Sequence, residues 1–266
     1  MRIADRVFVV TGAGSGIGRE VALEFLRRGA RVAAVDLRAE SLDETRALAR
    51  VEPARLSTHV LNVADRAAVE ALPDQVLAAH GQVDGLLSIA GIIQPFVPVE
   101  DLSIEQIERV MAVNFWGTLY LDRAFLPLLK QRSEASLLNV ASMGALVPVP
   151  GQSAYGASKG AVKLLTEGLY AELQGTRVAV TIVFPGAVGT HISENSGVAL
   201  PTMKPGVRET KVTPAPDAAR QIVDAVEHGT FRVLIGSDAR MLDRLSRFSP
   251  TRAITTVARQ MKALLG

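Results

Sequence analysis

A run of apolar, β-branched residues, Arg6-Val7-Phe8-Val9-Val10, passes without a break into Thr11-Gly12-Ala13-Gly14-Ser15-Gly16-Ile17-Gly18. Helical periodicity then runs through Val21, Leu23, Phe25 and Leu26 to a stop at Gly29. This order of strand, glycine turn and helix constrains the chain more than any other feature. A continuously apolar strand is buried on both faces, as in a parallel sheet covered by helices. The glycines allow the backbone to approach a pyrophosphate, and the helix behind them offers free N–H groups and the positive end of its dipole. The spacing is Gly-x-x-x-Gly-x-Gly and not the Gly-x-Gly-x-x-Gly of the general dinucleotide fingerprint. A second buried strand, Arg31–Val35, ends in Asp36, 18 residues after Gly18. A carboxylate there can accept both ribose hydroxyls of an adenosine and would repel a 2′-phosphate, which favours NAD over NADP. Arg38 tempers that preference, and Asp36 has the alternative of capping the next helix.

The pattern repeats. Helices around 39–50 and 65–79 alternate with strands around 55–61 and 83–89, an alternating βαβα series that predicts a doubly wound, Rossmann-type α/β domain with helices on both faces. Asn62-Val63 and Ala90-Gly91 follow the third and fourth strands at their carboxyl ends, where such sheets bind ligands. A long helix over about 103–130 carries Asn114 in its interior and Pro127 near its end, where the ring can kink it. The strand Ser136–Ser142 delivers Ser142 at its carboxyl end, and the strand 177–184 ends in Pro185-Gly186-Ala187-Val188-Gly189-Thr190. The stretch from about 190 to 216, rich in Gly, Pro, Ser and Thr, reads as a lid, and a helix around 217–227 and a strand at 231–235 close the sheet. Residues 1–236 are thus expected to form the dinucleotide-binding domain, and 237–266 a helical extension.

Composition narrows the function. With 48% hydrophobic and 21% charged residues the chain can bury one large core. There is no cysteine, and the four histidines form no ligand-spaced cluster, so thiol chemistry and a zinc site are not expected. A formal net charge of +2 does not indicate a nucleic-acid binder. The first residues lack the long apolar region of a signal peptide, and no run is long enough to span a membrane, so a cytoplasmic enzyme is the expectation.

The chemistry centres on Tyr155 and Lys159, at i and i+4 of a helix that continues to about Leu173. A free tyrosine is a poor base at neutral pH. Beside a fixed cation it can exchange protons with an alcohol or a ketone. Such a pair also occurs by chance on solvated helices, so it needs the rest of the chain for support.

Together, Thr11-Gly12-x-x-x-Gly16-x-Gly18, Asp36, Ala90-Gly91, Asn114, Ser142, Tyr155-x-x-x-Lys159 and Pro185-Gly186-x-x-x-Thr190 resemble the short-chain dehydrogenase/reductase family in its shorter branch, over residues 5–236. The resemblance implies Tyr155 as acid/base and Lys159 on the nicotinamide ribose, lowering the tyrosine pKa. It implies Ser142 on the substrate oxygen and Asn114 as anchor for a proton-relaying water. It further implies cofactor contacts from Gly12, Ser15, Gly16, Ile17, Gly18, Asp36, Leu37, Asn62, Val63, Ala90, Gly91, Pro185, Gly186, Val188 and Thr190, with Val188 and Thr190 on the carboxamide. A homo-oligomer paired through the helices at 103–130 and 151–173 is also implied. One departure is plain: the family's Asn-Asn-Ala-Gly reads Ser88-Ile89-Ala90-Gly91, which puts a tie between strands in doubt.

Ile92-Ile93-Gln94-Pro95-Phe96, Met143-Gly144-Ala145-Leu146-Val147, Gln152 and the lid from His191 should line the substrate side, with the alternative that Leu146 and Val147 are core. They are mainly apolar, and the cations Lys204 and Arg208 come only far along the lid. The expectation is an NAD-dependent oxidoreductase interconverting a hydrophobic secondary alcohol and a ketone, such as a sterol, terpenoid or acyl-chain derivative, with Ser142, Met143, Gln152 and Tyr155 on the substrate. The alternatives are an NADP-dependent carbonyl reductase and a dinucleotide-binding sensor or scaffold without turnover. In the tail, Ile254, Val257, Met261 and Leu264 recur at helical spacing among Arg252, Arg259 and Lys262. That helix can pack on its own subunit or a neighbour, cover the substrate entrance, or rest on an anionic membrane.

Overall fold

In a computed structural model of the protein, which describes residues 1–199 and 212–265, strand β1 (Val7–Thr11) is buried at every position. Its side chains alternate between two cores, as the strand period of two requires. Phe8 and Val10 pack with Val21, Phe25 and Ile222 on one face, and Val7 and Val9 with Leu72, Val76, Leu121, Phe125 and Leu129 on the other. The Phe8 and Phe25 rings stack with centroids 4.0 Å apart.

Around β1 lie β2 (Arg31–Asp36), β3 (Leu56–Val60), β4 (Gly85–Ser88), β5 (Ala135–Val140), β6 (Val178–Pro185) and β9 (Arg232–Ile235), in the order β3-β2-β1-β4-β5-β6-β9. All pairings within this sheet are parallel. Helices α1 (Gly16–Arg27), α2 (Ala39–Ala49) and α8 (Ala215–His228) supply residues to the first core. Helices α3 (Arg66–His80), α5 (Gly117–Lys130) and α6 (Ser153–Glu172) supply residues to the second. The order reverses between β1 and β4, so the carboxyl ends of those strands open a crevice at the switch point.

The single helix expected over 103–130 is instead α4 (Ile104–Met111), capped by a Ser103–Gln106 box, followed by a π-helical turn at Ala112–Trp116 and then α5. Pro127 stays inside α5. Beyond β6, the two-residue strands β7 (Val188–Gly189) and β8 (Thr213–Pro214) pair, with α7 (Ile192–Ser196) between them. The middle of the expected lid, residues 200–211 with Lys204 and Arg208, lies outside the described residues.

The tail forms α9 (Ser237–Phe248) and α10 (Pro250–Leu265). Leu242, Ala253 and Val257 are buried against Val147, with Met143, Leu146 and Met261 partly buried around them. Of the three readings of the tail, packing on its own chain is the one these residues show. The guanidinium of Arg232 on β9 donates twice to Asp243 on α9, at 3.0 and 2.7 Å. No helix among the described residues is long and apolar enough to cross a membrane.

Candidate active site

Tyr155 and Lys159 lie one turn apart near the start of α6, whose own N-cap, Gln152, makes no side-chain cap bond. The missing cap comes from 61 positions away: Gln94 Oε1 accepts the Tyr155 N–H at 2.9 Å. Gln94 Nε2 donates to Gly151 O at 3.0 Å, and Gln152 Nε2 returns a bond to Gln94 O at 2.8 Å. Gln152, expected on the substrate, is therefore turned into the loop after β4 and is 4% exposed, with its Oε1 unpartnered. Gln94, expected with its segment on the substrate side, is 1% exposed and has its side chain on the start of α6 instead, a role nothing in the local sequence marks.

Helical spacing predicts that the Lys159 ammonium favours phenolate at Tyr155. The structure differs. Burial pushes the phenol above the usual tyrosine value, and a hydrogen bond with Ser142 is what favours its charged form. The Lys159 Nζ instead donates to Val140 O at 2.9 Å, and burial lowers it to about 8. Ser142 caps the short 3-10 turn Met143–Ala145, with Oγ accepting the Gly144 N–H at 3.0 Å. A methyl placed on Gly91 would stand 3.1 Å from Lys159 Nζ and 3.2 Å from Asn114 Oδ1, so that glycine marks where the two side chains converge.

Asn114 is fully buried in the π turn, a kind of irregularity that often accompanies function. Its Oδ1 accepts the Ile92 N–H and its Nδ2 donates to Ile92 O, both at 2.9 Å, with a further bond to Ser158 Oγ at 3.0 Å. The amide that the family resemblance assigns to a water relay is here engaged with protein groups. The doubtful tie at Ser88 has a substitute: Thr11 Oγ1 accepts from the backbone of Ile89 and Ala90 at 3.0 and 3.2 Å, while Ser88 Oγ stays buried without a partner.

The glycine turn meets the requirements of a dinucleotide cradle. Helix α1 has no acid in its first turn, and Ser15 at its N-cap makes no cap bond, which leaves the leading N–H groups free for an anion. A Cβ on Gly18 would overlap the Gly12 carbonyl, and Gly16, at φ +52°, lies under Thr190. Asp36 accepts the Gly14 N–H through Oδ2 at 2.9 Å and the Arg38 N–H through Oδ1 at 3.1 Å. Leu37 is exposed beside it, Asn62 Oδ1 accepts the Ala64 N–H at 3.0 Å, and Val63 is buried. The sequence did not reveal a strap over this cradle: Arg38 donates to Asn195 Oδ1 at 2.7 Å, and Asn195 Nδ2 to Ser15 Oγ at 2.8 Å. Free helix N–H groups, an unpaired-by-cation carboxylate at the end of β2 and a backbone kept clear of side chains fit a nicotinamide dinucleotide. Among the described residues no three metal-ligating side chains converge.

On the substrate side, Ile92, Ile93, Phe96 and Met143 are partly buried. Val147 is 1% exposed and belongs to the tail core, while Leu146 packs at the edge of that core.

The family model described as short chain dehydrogenase matches residues 6–200. SadH of Mycobacterium tuberculosis, named as an oxidoreductase, is 37% identical over 91% of this chain and 90% of its own length. The 1-deoxy-11-beta-hydroxypentalenate dehydrogenase of Streptomyces exfoliatus is 33% identical over 91% of this chain and 86% of its own. A short chain dehydrogenase/reductase from Burkholderia phymatum, solved with NAD, superimposes with a TM-score of 0.85 at 28% identity, over 96% of this chain and 97% of that one. One from Burkholderia cenocepacia, solved with NADP, gives 0.80 at 28% identity, over 97% and 99%.

Proposed function

The chain belongs to the short-chain dehydrogenase family, and on that premise we propose that it is an NAD-dependent oxidoreductase interconverting a secondary alcohol and a ketone on a hydrophobic substrate. The observation that carries this reading is the hydrogen bond of Tyr155 with Ser142, with Lys159 one turn further along α6 and a glycine turn held by Asp36 in the same sheet. Gly12–Gly18 would hold a nicotinamide dinucleotide, whose chemistry would be to supply or accept the hydride. Ser142 holds the substrate oxygen, and Tyr155 gives it a proton in reduction or takes one in oxidation.

A phenol raised by burial is an acid at neutral pH, so the ligand-free site is set to protonate a carbonyl. Lys159, near 8, is mostly ammonium at neutral pH, and turning from Val140 O to a ribose would bring its charge toward the phenol. Oxidation therefore gains as pH rises through the range where Tyr155 ionises, and reduction gains in the opposite direction. Asp36, with no cation on its side chain among the described residues, supports NAD. The apolar residues Ile92, Ile93, Phe96 and Met143 support a hydrophobic substrate, and the hydroxypentalenate named for one relative supports an alcohol carbon as the reacting centre. Exposed Trp116 and Leu164, on the helices that would pair, support a homo-oligomer, which sedimentation measures.

An absorbance screen at 340 nm, with NAD and NADP in parallel over hydrophobic alcohols and ketones, tests the reading. NAD is expected to support faster turnover than NADP, and Tyr155→Phe to lower kcat by roughly 10²–10⁴. Equal turnover of small charged hydroxy acids would discard the substrate class. Binding of NADH with no turnover, unchanged by Tyr155→Phe, would favour a sensor.

A further inference from the structure

We propose that Asp238, in the first turn of α9, is a positioning residue for the loop that receives the nicotinamide end of the cofactor, which makes the tail part of the cofactor site. The inference rests on the dinucleotide reading above and adds a residue to it.

The loop after β6 is held through three consecutive peptide units. Gly186 N–H donates to Ile235 O at 2.9 Å, extending the β6–β9 pairing by one bond. Ala187 N–H then leaves the sheet and donates to Asp238 Oδ2 at 2.7 Å, while Ala187 C=O accepts the Thr213 N–H at 2.8 Å. Val188 and Gly189 pair with Thr213 and Pro214, and Thr190 arrives over Gly16 of the glycine turn. The course of residues 187–190 therefore depends on the Asp238 carboxylate on one side and β8 on the other.

Two features separate this from an ordinary helix cap. The accepted N–H comes from a segment 51 positions away and not from α9 itself. The carboxylate also fills the space over Gly186, where any Cβ would overlap it, and Gly236, at φ +94°, turns the chain so that the side chain can reach there. Its second oxygen, Oδ1, is buried with no partner among the described residues. A carboxylate placed at that cost, with one bond to show for it, serves the loop. From the same helix, Leu242 packs on Val147, in the wall that follows Ser142. Helix α9 is thus a strut between the nicotinamide loop and the segment that follows Ser142.

Removing the carboxylate frees the Ala187 N–H and loosens 187–190, and leaves untouched the adenosine side, built from Gly12–Gly18 and Asp36 on the opposite part of the sheet. The test compares NADH with ADP-ribose, which has no nicotinamide, by calorimetry on the full chain. Asp238→Ala is expected to weaken NADH at least tenfold with ADP-ribose within twofold, and Asp238→Asn, which keeps an acceptor oxygen, to restore NADH binding. Should Asp238→Ala fail to fold, Asp238→Ser carries the same comparison, with ADP-ribose affinity as the check on folding. Unchanged NADH affinity, or equal weakening of both ligands, would overturn the proposal. A wild-type chain that binds neither ligand would overturn the dinucleotide reading itself, and the proposal with it.

Discussion

Asp122, on α5, is enclosed at 2% exposure and receives one bond, from Asn139 Nδ2 at 2.9 Å, while its Oδ1 has no partner. Burial pushes its carboxyl up to about 7, and the Asn139 bond offsets only part of that. The folded chain therefore keeps a proton that the unfolded chain gives up near 4, and stability falls as pH rises from there through about 7. Above that the loss levels off at about 4 kcal/mol as an upper bound. Asp122→Asn is expected to flatten this slope in urea unfolding, with the variant more stable than wild type at pH 8 and close to it at pH 4. An unchanged slope would place the titration elsewhere. Ser142, Tyr155 and Lys159 were singled out through the family resemblance, since the i, i+4 spacing alone also arises by chance on solvated helices. Gln94 and Asp238 were not, since their partners lie 61 and 51 positions away and no periodicity joins them.

The α6 helix shows what an element can owe to a distant residue. Its N-terminus is closed by the Gln94 amide, which satisfies the Tyr155 N–H and the Gly151 carbonyl together. Gln94→Leu leaves both part-buried groups without this partner, at no more than about 1–3 kcal/mol each, and is expected to lower the melting temperature. It should lower kcat more than NADH affinity, because it disturbs the turn that carries Tyr155 and leaves the glycine cradle alone. Gln94→Glu keeps an acceptor for the Tyr155 N–H and adds a negative charge near the phenol. The pH profile of alcohol oxidation should then shift to higher pH, a displacement that simple loosening of the helix would not produce. The π turn at Ala112–Trp116 escaped the sequence because one added residue in a helical turn leaves apolar periodicity and composition almost unchanged. Its effect is local, carrying Asn114 inward against Ile92.

At the scale of the whole molecule, the sheet and its two cores were readable because continuously apolar strands and periodic helices dictate them, whereas the seat of the tail was not, since an amphipathic helix has an inward face without an address. The structure supplies the address. Ala253 and Val257 of α10 close over Val147, which sits five positions beyond Ser142. Helix α9, by contrast, is bonded to β9 through Arg232–Asp243 and to the β6 loop through Asp238. The two tail helices should therefore separate in their effects. A chain ending at Phe248 loses the burial of Ala253 and Val257 and uncovers the wall around Val147, so its melting temperature should fall and its KM for hydrophobic alcohols should rise. It keeps Asp238 and the Arg232–Asp243 pair, so NADH should bind within about twofold of the full chain, a shift of less than about 0.5 kcal/mol. Loss of NADH binding on this truncation would mean that α10, and not the first turn of α9, supports the nicotinamide loop.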